Sequence, residues 1–181
     1  STLMKILAGV VTDYGGEVTL AGRTVCFAST RDAERAGISI IHQELNLVEQ
    51  LSAAANIFLG REPVRKAFGI LPVLDRQKMA GAARDTMARL DFHVTRLDAP
   101  VSNFSGGQRQ AVAVGRALLA NPDVLLLDEV SLGLSPAAIE SMYLSLDAIK
   151  NTREMAMVVV EQDLNRALGF ADTIICMAEG R

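Results

Sequence analysis

The chain has 181 residues, 21 acidic and 18 basic, with 50% hydrophobic and 4% aromatic side chains. A domain of this size buries about 70% of its unfolded surface, so its core needs no disulfide or metal staple, and a net charge of −3 with a mean hydropathy of +0.25 argues against disorder. The slightly acidic balance removes the electrostatic basis for binding nucleic acid, and no apolar run approaches the ~20 residues of a membrane helix.

Leu3, Ile6, Leu7 and Val10 follow the spacing of an amphipathic helix that runs into the turn Asp13-Tyr14-Gly15-Gly16. Val18–Leu20 and Thr24–Phe27 read as antiparallel strands around Ala21-Gly22-Arg23. Ser29 or Thr30 caps a helix over Arg31–Ala36, Gly37 stops it, and Ile38–Ile41 is a buried strand. From Gln43 to about Asn103 the character is mainly helical, with helices at Ala53–Leu59 and, capped by Asp75, Arg76–Leu90. Between them Glu62–Pro72 is marked as a loop by Pro and Gly.

After Pro122 strand and helix alternate: Val124–Leu127, Pro136–Lys150, Met155–Val160, Leu164–Leu168 and Thr173–Met177. Short continuous apolar runs between helices are what a parallel sheet covered on both faces requires, so the class is α/β. Cys26 and Cys176 lie 150 positions apart in no CxxC or Cys/His cluster, which fits a reducing compartment. The first residue is serine, and no basic flank with an apolar stretch and cleavage site follows, so no secretion signal is expected and the start reads as cut from something longer.

Two segments carry chemistry. Ser105-Gly106-Gly107-Gln108 opens the helical pattern Ala111–Ala120, and a serine cap followed by two glycines leaves backbone N–H groups bare at the positive end of the helix dipole, a geometry suited to phosphate. Val124-Leu125-Leu126-Leu127-Asp128-Glu129 ends four apolar residues in adjacent carboxylates. The carboxyl end of a parallel strand is where open α/β sheets bind ligands. Asp128 suits Mg²⁺, a hard cation that usually takes one or two carboxylates plus phosphate oxygens, and Glu129 is placed to polarise a water. His42 and His93 form no local metal motif and read as structural or exposed, and the cations around Arg61–Lys66 read as a solvated loop.

Asn103–Gln110 followed by Asn121–Glu129 resembles the signature and Walker B segments of ABC-type ATPases. The resemblance runs over essentially the whole chain: Ser1-Thr2-Leu3-Met4-Lys5-Ile6-Leu7-Ala8-Gly9 is similar to the helix after the phosphate loop. Ile40–Leu47 and Asn56–Glu62 look like the Q-loop region of bacterial sugar importers of the ribose and xylose type. It implies a P-loop NTPase-like (RecA-like) core with a mainly parallel sheet, a short antiparallel β segment near the N-terminus, and a helical signature insert. The core parts would be 1–42 and 121–181, and the insert 43–120.

By position, the resemblance implies that Ser1, with Thr2 beside it, Gln43 and Asp128 handle ATP and Mg²⁺, with Ser1, Gln43 and Asp128 toward the metal. It makes Glu129 the catalytic glutamate. It also places Ser105, Gly106, Gly107 and Gln108 opposite the γ-phosphate of a nucleotide held by a second ATPase domain in a head-to-tail dimer. Gln162 stands where many relatives carry a histidine touching that phosphate, and a glutamine can position but cannot become cationic.

The phosphate loop GxxxxGK[ST] would be present only in its last position, and none of the 14 glycines is followed by lysine, so the 181 residues are expected to form a truncated domain that binds ATP poorly. Ser131-Leu132-Gly133-Leu134-Ser135-Pro136, without the usual D-loop aspartate, and Gln162 both look similar to branched-chain amino-acid importers.

The function the resemblance implies is the ATP-hydrolysing subunit of a bacterial importer for a monosaccharide. It would sit peripherally on the cytoplasmic face of the inner membrane and work with transmembrane permease subunits and, indirectly, a periplasmic solute-binding protein. An amino-acid importer ATPase and a noncatalytic, partner-binding fragment remain alternatives. DNA-repair ATPases carry a related signature, but the acidic balance and the absence of coiled-coil heptads disfavour them.

Overall fold

A computed structural model describes residues 2–42, 45–67, 70–90, 96–152 and 154–177. Its centre is a three-stranded parallel sheet in the order β3 (Ile38–Ile41), β6 (Val124–Asp128), β7 (Ala156–Val160). The register aligns Ile41 with Leu127 and Leu127 with Val159, so the three strands finish along one edge, where His42, Glu129 and Glu161 follow them. Along β6 the side chains alternate between two cores. Leu125 and Leu127 enter a large cluster with Ile41, while Leu126 enters a smaller one with Ile38, Met4, Ala8, Phe27 and Ala33. Burial on both faces is why this strand reads as an unbroken apolar run.

The smaller core is closed by α1 (Thr2–Leu7) and α2 (Thr30–Arg35) with the hairpin β1 (Val18–Leu20) and β2 (Arg23–Val25). The expected helix over Leu3–Val10 is shorter than its spacing suggested. Gly9 turns left-handed at φ +69°, and Val10 lies outside the helix, 46% exposed. A Cβ at Gly9 would meet the Ser29 carbonyl oxygen at 2.5 Å, so this stop requires glycine for space as well as for φ. The hairpin turn is two residues, Ala21 at φ +49° and Gly22 at φ +75°, with Arg23 already in the strand.

The larger core is covered by α3 (Ala53–Ile57), α4 (Arg76–Arg89), α5 (Gly106–Leu119) and α6 (Pro136–Thr152), while α7 (Leu164–Phe170) follows β7. Helices α4 and α5 meet at Gly115, where a Cβ would collide with the Met87 methyl group.

Two expectations fail here. The 62–72 loop contains most of an antiparallel hairpin, β4 (Val64–Ala67) with β5 (Leu71–Leu74), in which Lys66 faces Pro72. A two-stranded ribbon has only edge strands, where a proline without an N–H is tolerated. Residues 173–177 form no strand, for among the described residues nothing pairs with them, and Ile175 is 83% exposed. Among the described residues no helix is long and apolar enough to cross a membrane.

Candidate functional site

The phosphate-suited turn is built from its own residues. Ser105 caps α5, its Oγ accepting the Gln108 N–H at 3.3 Å while the Gln108 Oε1 accepts the Ser105 N–H at 3.0 Å, a complete capping box. Arg109 N–H bonds the Ser105 carbonyl, so helix geometry leaves the N–H groups of Gly106 and Gly107 as donors without an intrahelical acceptor. Gln108, expected to face a phosphate, has its amide oxygen engaged in the cap. Arg109 secures the approach to this turn: its Nε and Nη2 donate to the carbonyls of Val101 and Ser102, and its Nη1 lies 3.4 Å from Glu49.

The acidic pair sits at the tip of β6. Asp128 is 5% exposed, and Glu129 is half-buried with φ +51°, a left-handed backbone that few non-glycine residues adopt. The Glu129 N–H still bonds the Val160 carbonyl at 3.0 Å, extending the ladder one step past the strand. Gln162 comes from the neighbouring strand end, its Nε2 donating to Glu129 Oε1 at 2.9 Å. The structure therefore joins Glu129 and Gln162, the glutamate and the positioning glutamine expected from the sequence. Thr2 is exposed at the start of α1, on the side of the sheet that Leu126 faces; Ser1, Gln43 and His93 lie outside the described residues.

His42 is half-buried beyond β3. Burial lowers its pKa below the usual imidazole value, against the opposing attraction of Asp128, so the ring is held toward its neutral form. Among the described residues no group of three or more His, Cys, Asp or Glu side chains could hold a metal. A single buried aspartate at a strand tip still fits Mg²⁺, since that cation needs few protein ligands when phosphate oxygens and water complete its shell.

Turn and tip are connected through residues 130–138. A Cβ at Gly107 would lie 3.1 Å from the Ala138 Cβ, and one at Gly106 would lie 3.5 Å from a Leu134 methyl. Sequence reasoning did not single out Glu161. Its carboxylate accepts from Ser131 Oγ and from the Tyr143 hydroxyl, each at 2.8 Å. Burial alone would raise the Glu161 pKa, but donors from Ser131, Tyr143 and the backbone of Asp163 and Gln162 bring it below the ordinary carboxylate value; burial and the same hydrogen bond push the Tyr143 hydroxyl up.

The family model described as ABC transporter matches residues 1–131. The chain belongs to the ABC transporter family. Its similarity to individual members extends along nearly all of its length: 40% identity over 99% of the chain to the ribose import ATP-binding protein RbsA of Chromobacterium violaceum, 37% over 99% to RbsA of Rhodopirellula baltica, and 36% over 100% to the xylose import ATP-binding protein XylG of Moorella thermoacetica. Those alignments cover 35%, 34% and 35% of the three relatives, so the chain spans about a third of their length.

Solved cassettes share the fold. A nucleotide-free ATP-binding cassette from an ABC transporter superposes with a TM-score of 0.78 at 20% identity, covering 94% of this chain and 69% of its own. The cbiO1 protein of Clostridium perfringens, part of the transporter complex cbiONQ, reaches 0.78 at 21% identity, covering 99% and 69%. The α/β, mainly parallel architecture expected from the sequence is thus that of the ABC cassette.

Proposed function

We propose that this ABC family member is the ATP-binding and ATP-hydrolysing part of a bacterial importer for a monosaccharide. The observation that carries the reading is the strand tip, where buried Asp128 adjoins a Glu129 whose carboxylate is held by Gln162. The ribose and xylose import proteins among its relatives supply the substrate class. In this reading residues 43–120 serve as the helical signature subdomain on core parts 1–42 and 121–181.

Asp128 would hold Mg²⁺ through its water shell, and Ser1 and Gln43 are assigned to the same ion. When bound, the ion neutralises charge on the phosphoryl oxygens. Glu129 accepts a hydrogen bond from the attacking water and takes its proton, while the Gln162 amide fixes one carboxylate oxygen so that the other faces the water. Gly106 and Gly107 offer N–H groups to the γ-phosphate of a nucleotide held by a second ATPase domain, in the manner of an oxyanion hole. Thr2, which follows Ser1 in sequence, is the first residue of α1. Closure of two such domains would drive a permease from the cytoplasmic side of the membrane, with a periplasmic solute-binding protein delivering the sugar.

Calorimetric titration of Mg-ATP into the intact importer, paired with its phosphate release as wild type and as Glu129→Gln, tests the nucleotide reading. Binding with hydrolysis lost in the variant supports it. No binding at all favours a noncatalytic piece that engages partners. Uptake of ribose and xylose against leucine in cells carrying the intact importer tests the substrate class.

A further inference from the structure

Glu161 stands directly after β7, and its side chain is 6% exposed. Burying a carboxylate is unfavourable unless donors meet it, so its donors show what it joins. Ser131 Oγ lies 3.0 Å from Oε1 and 2.8 Å from Oε2. The Tyr143 hydroxyl, from α6, donates to Oε2 at 2.8 Å, and Arg166 Nη1, from α7, lies 3.6 Å from Oε1. The Gln162 and Asp163 backbone N–H groups donate to Oε1 at 3.1 and 3.4 Å.

Two of these donors lead toward the chemistry. Gln162 carries on its side chain the amide that holds Glu129. Ser131 opens the turn whose Leu134 methyl lies against Gly106, and the Leu134 N–H bonds back to the Ser131 carbonyl at 3.3 Å. One carboxylate therefore receives both the element that orients the catalytic glutamate and the element that abuts the signature turn. Resting on the reading above, we propose that Glu161 is a positioning residue. It fixes the Glu129 carboxylate and the 131–135 turn in one frame, and through Ser131 sets the signature turn relative to the strand-tip acids.

The α6 and α7 arms give the competing explanation, that Glu161 merely anchors Tyr143 and Arg166. The two are separated by Glu161→Gln, Ser131→Ala and Tyr143→Phe in the full chain, read by backbone amide NMR. Glu161→Gln and Ser131→Ala are expected to move the Gly106, Gly107 and Leu134 signals, with Tyr143→Phe moving only its own surroundings. Unmoved glycine signals in Ser131→Ala overturn the proposal, including where Glu161→Gln fails to fold.

In hydrolysis by the intact importer, Glu161→Gln is expected to lower kcat about tenfold with KM changed less than about twofold. An equal loss in Tyr143→Phe also overturns the proposal. If Glu129→Gln leaves hydrolysis untouched, the ATPase reading fails instead, and the amide signals still decide the role of Glu161.

Discussion

The signature turn and the strand tip differ in how they are held. Ser105 and Gln108 cap each other across three positions, so the turn carries its own support within one stretch of chain. The tip is assembled from afar: Gln162 reaches Glu129 across 33 positions, and Glu161 receives Ser131 across 30. A turn of the first kind forms wherever its helix forms. A site of the second kind exists only when β6, β7 and α6 are packed together, so its geometry reports on the whole core.

That contrast can be broken or sharpened by substitution. The largest effect is expected for Glu129→Gln, which should lower Mg-ATP hydrolysis by the intact importer about 10²–10⁴-fold, the usual contribution of a positioned general base, with little change in thermal midpoint. Next, Ser131→Ala removes a donor from a buried carboxylate and should cost about 1–3 kcal/mol in urea denaturation. Hydrogen exchange in that variant should quicken along β7 and α6, since the support is distributed.

Ser105→Ala should cost about 1 kcal/mol, the usual value of an N-cap, with faster exchange confined to the first turn of α5. Exchange spreading to β6 in that variant would erase the distinction between the two regions.

The smallest effect is in acid. The folded Glu161 pKa lies below its reference of 4.5, so its contribution to stability is complete above that value and is lost as pH falls through the folded pKa. Wild type should therefore lose stability more steeply than Glu161→Gln below about pH 4.5 in pH-stepped thermal melts.

What the sequence revealed follows the same division. The cap at Ser105 and the apolar run into Asp128 were legible because each lies within six or fewer consecutive residues. The β4–β5 hairpin was hidden because Pro63, Gly69 and Pro72 signal breakage, although Val64, Leu71, Val73 and Leu74 supply strand-forming side chains. Thr173–Met177 shows the reverse error: an apolar, β-branched segment becomes a strand only where another strand offers it a ladder. Glu161 read as a mere flank of Gln162, since nothing in a linear sequence marks a carboxylate that folding will enclose with Ser131 and Tyr143.

The backbone at Glu129 has a consequence for inheritance. Its φ of +51° is a conformation glycine adopts without steric penalty, so, on the proposed role of Glu129, a mutation to glycine there would remove the general base while easing local strain. Folding then offers no resistance to the loss, and copies that have lost their activity should survive as well-folded proteins, indistinguishable from working ones in any assay that reads only solubility or melting.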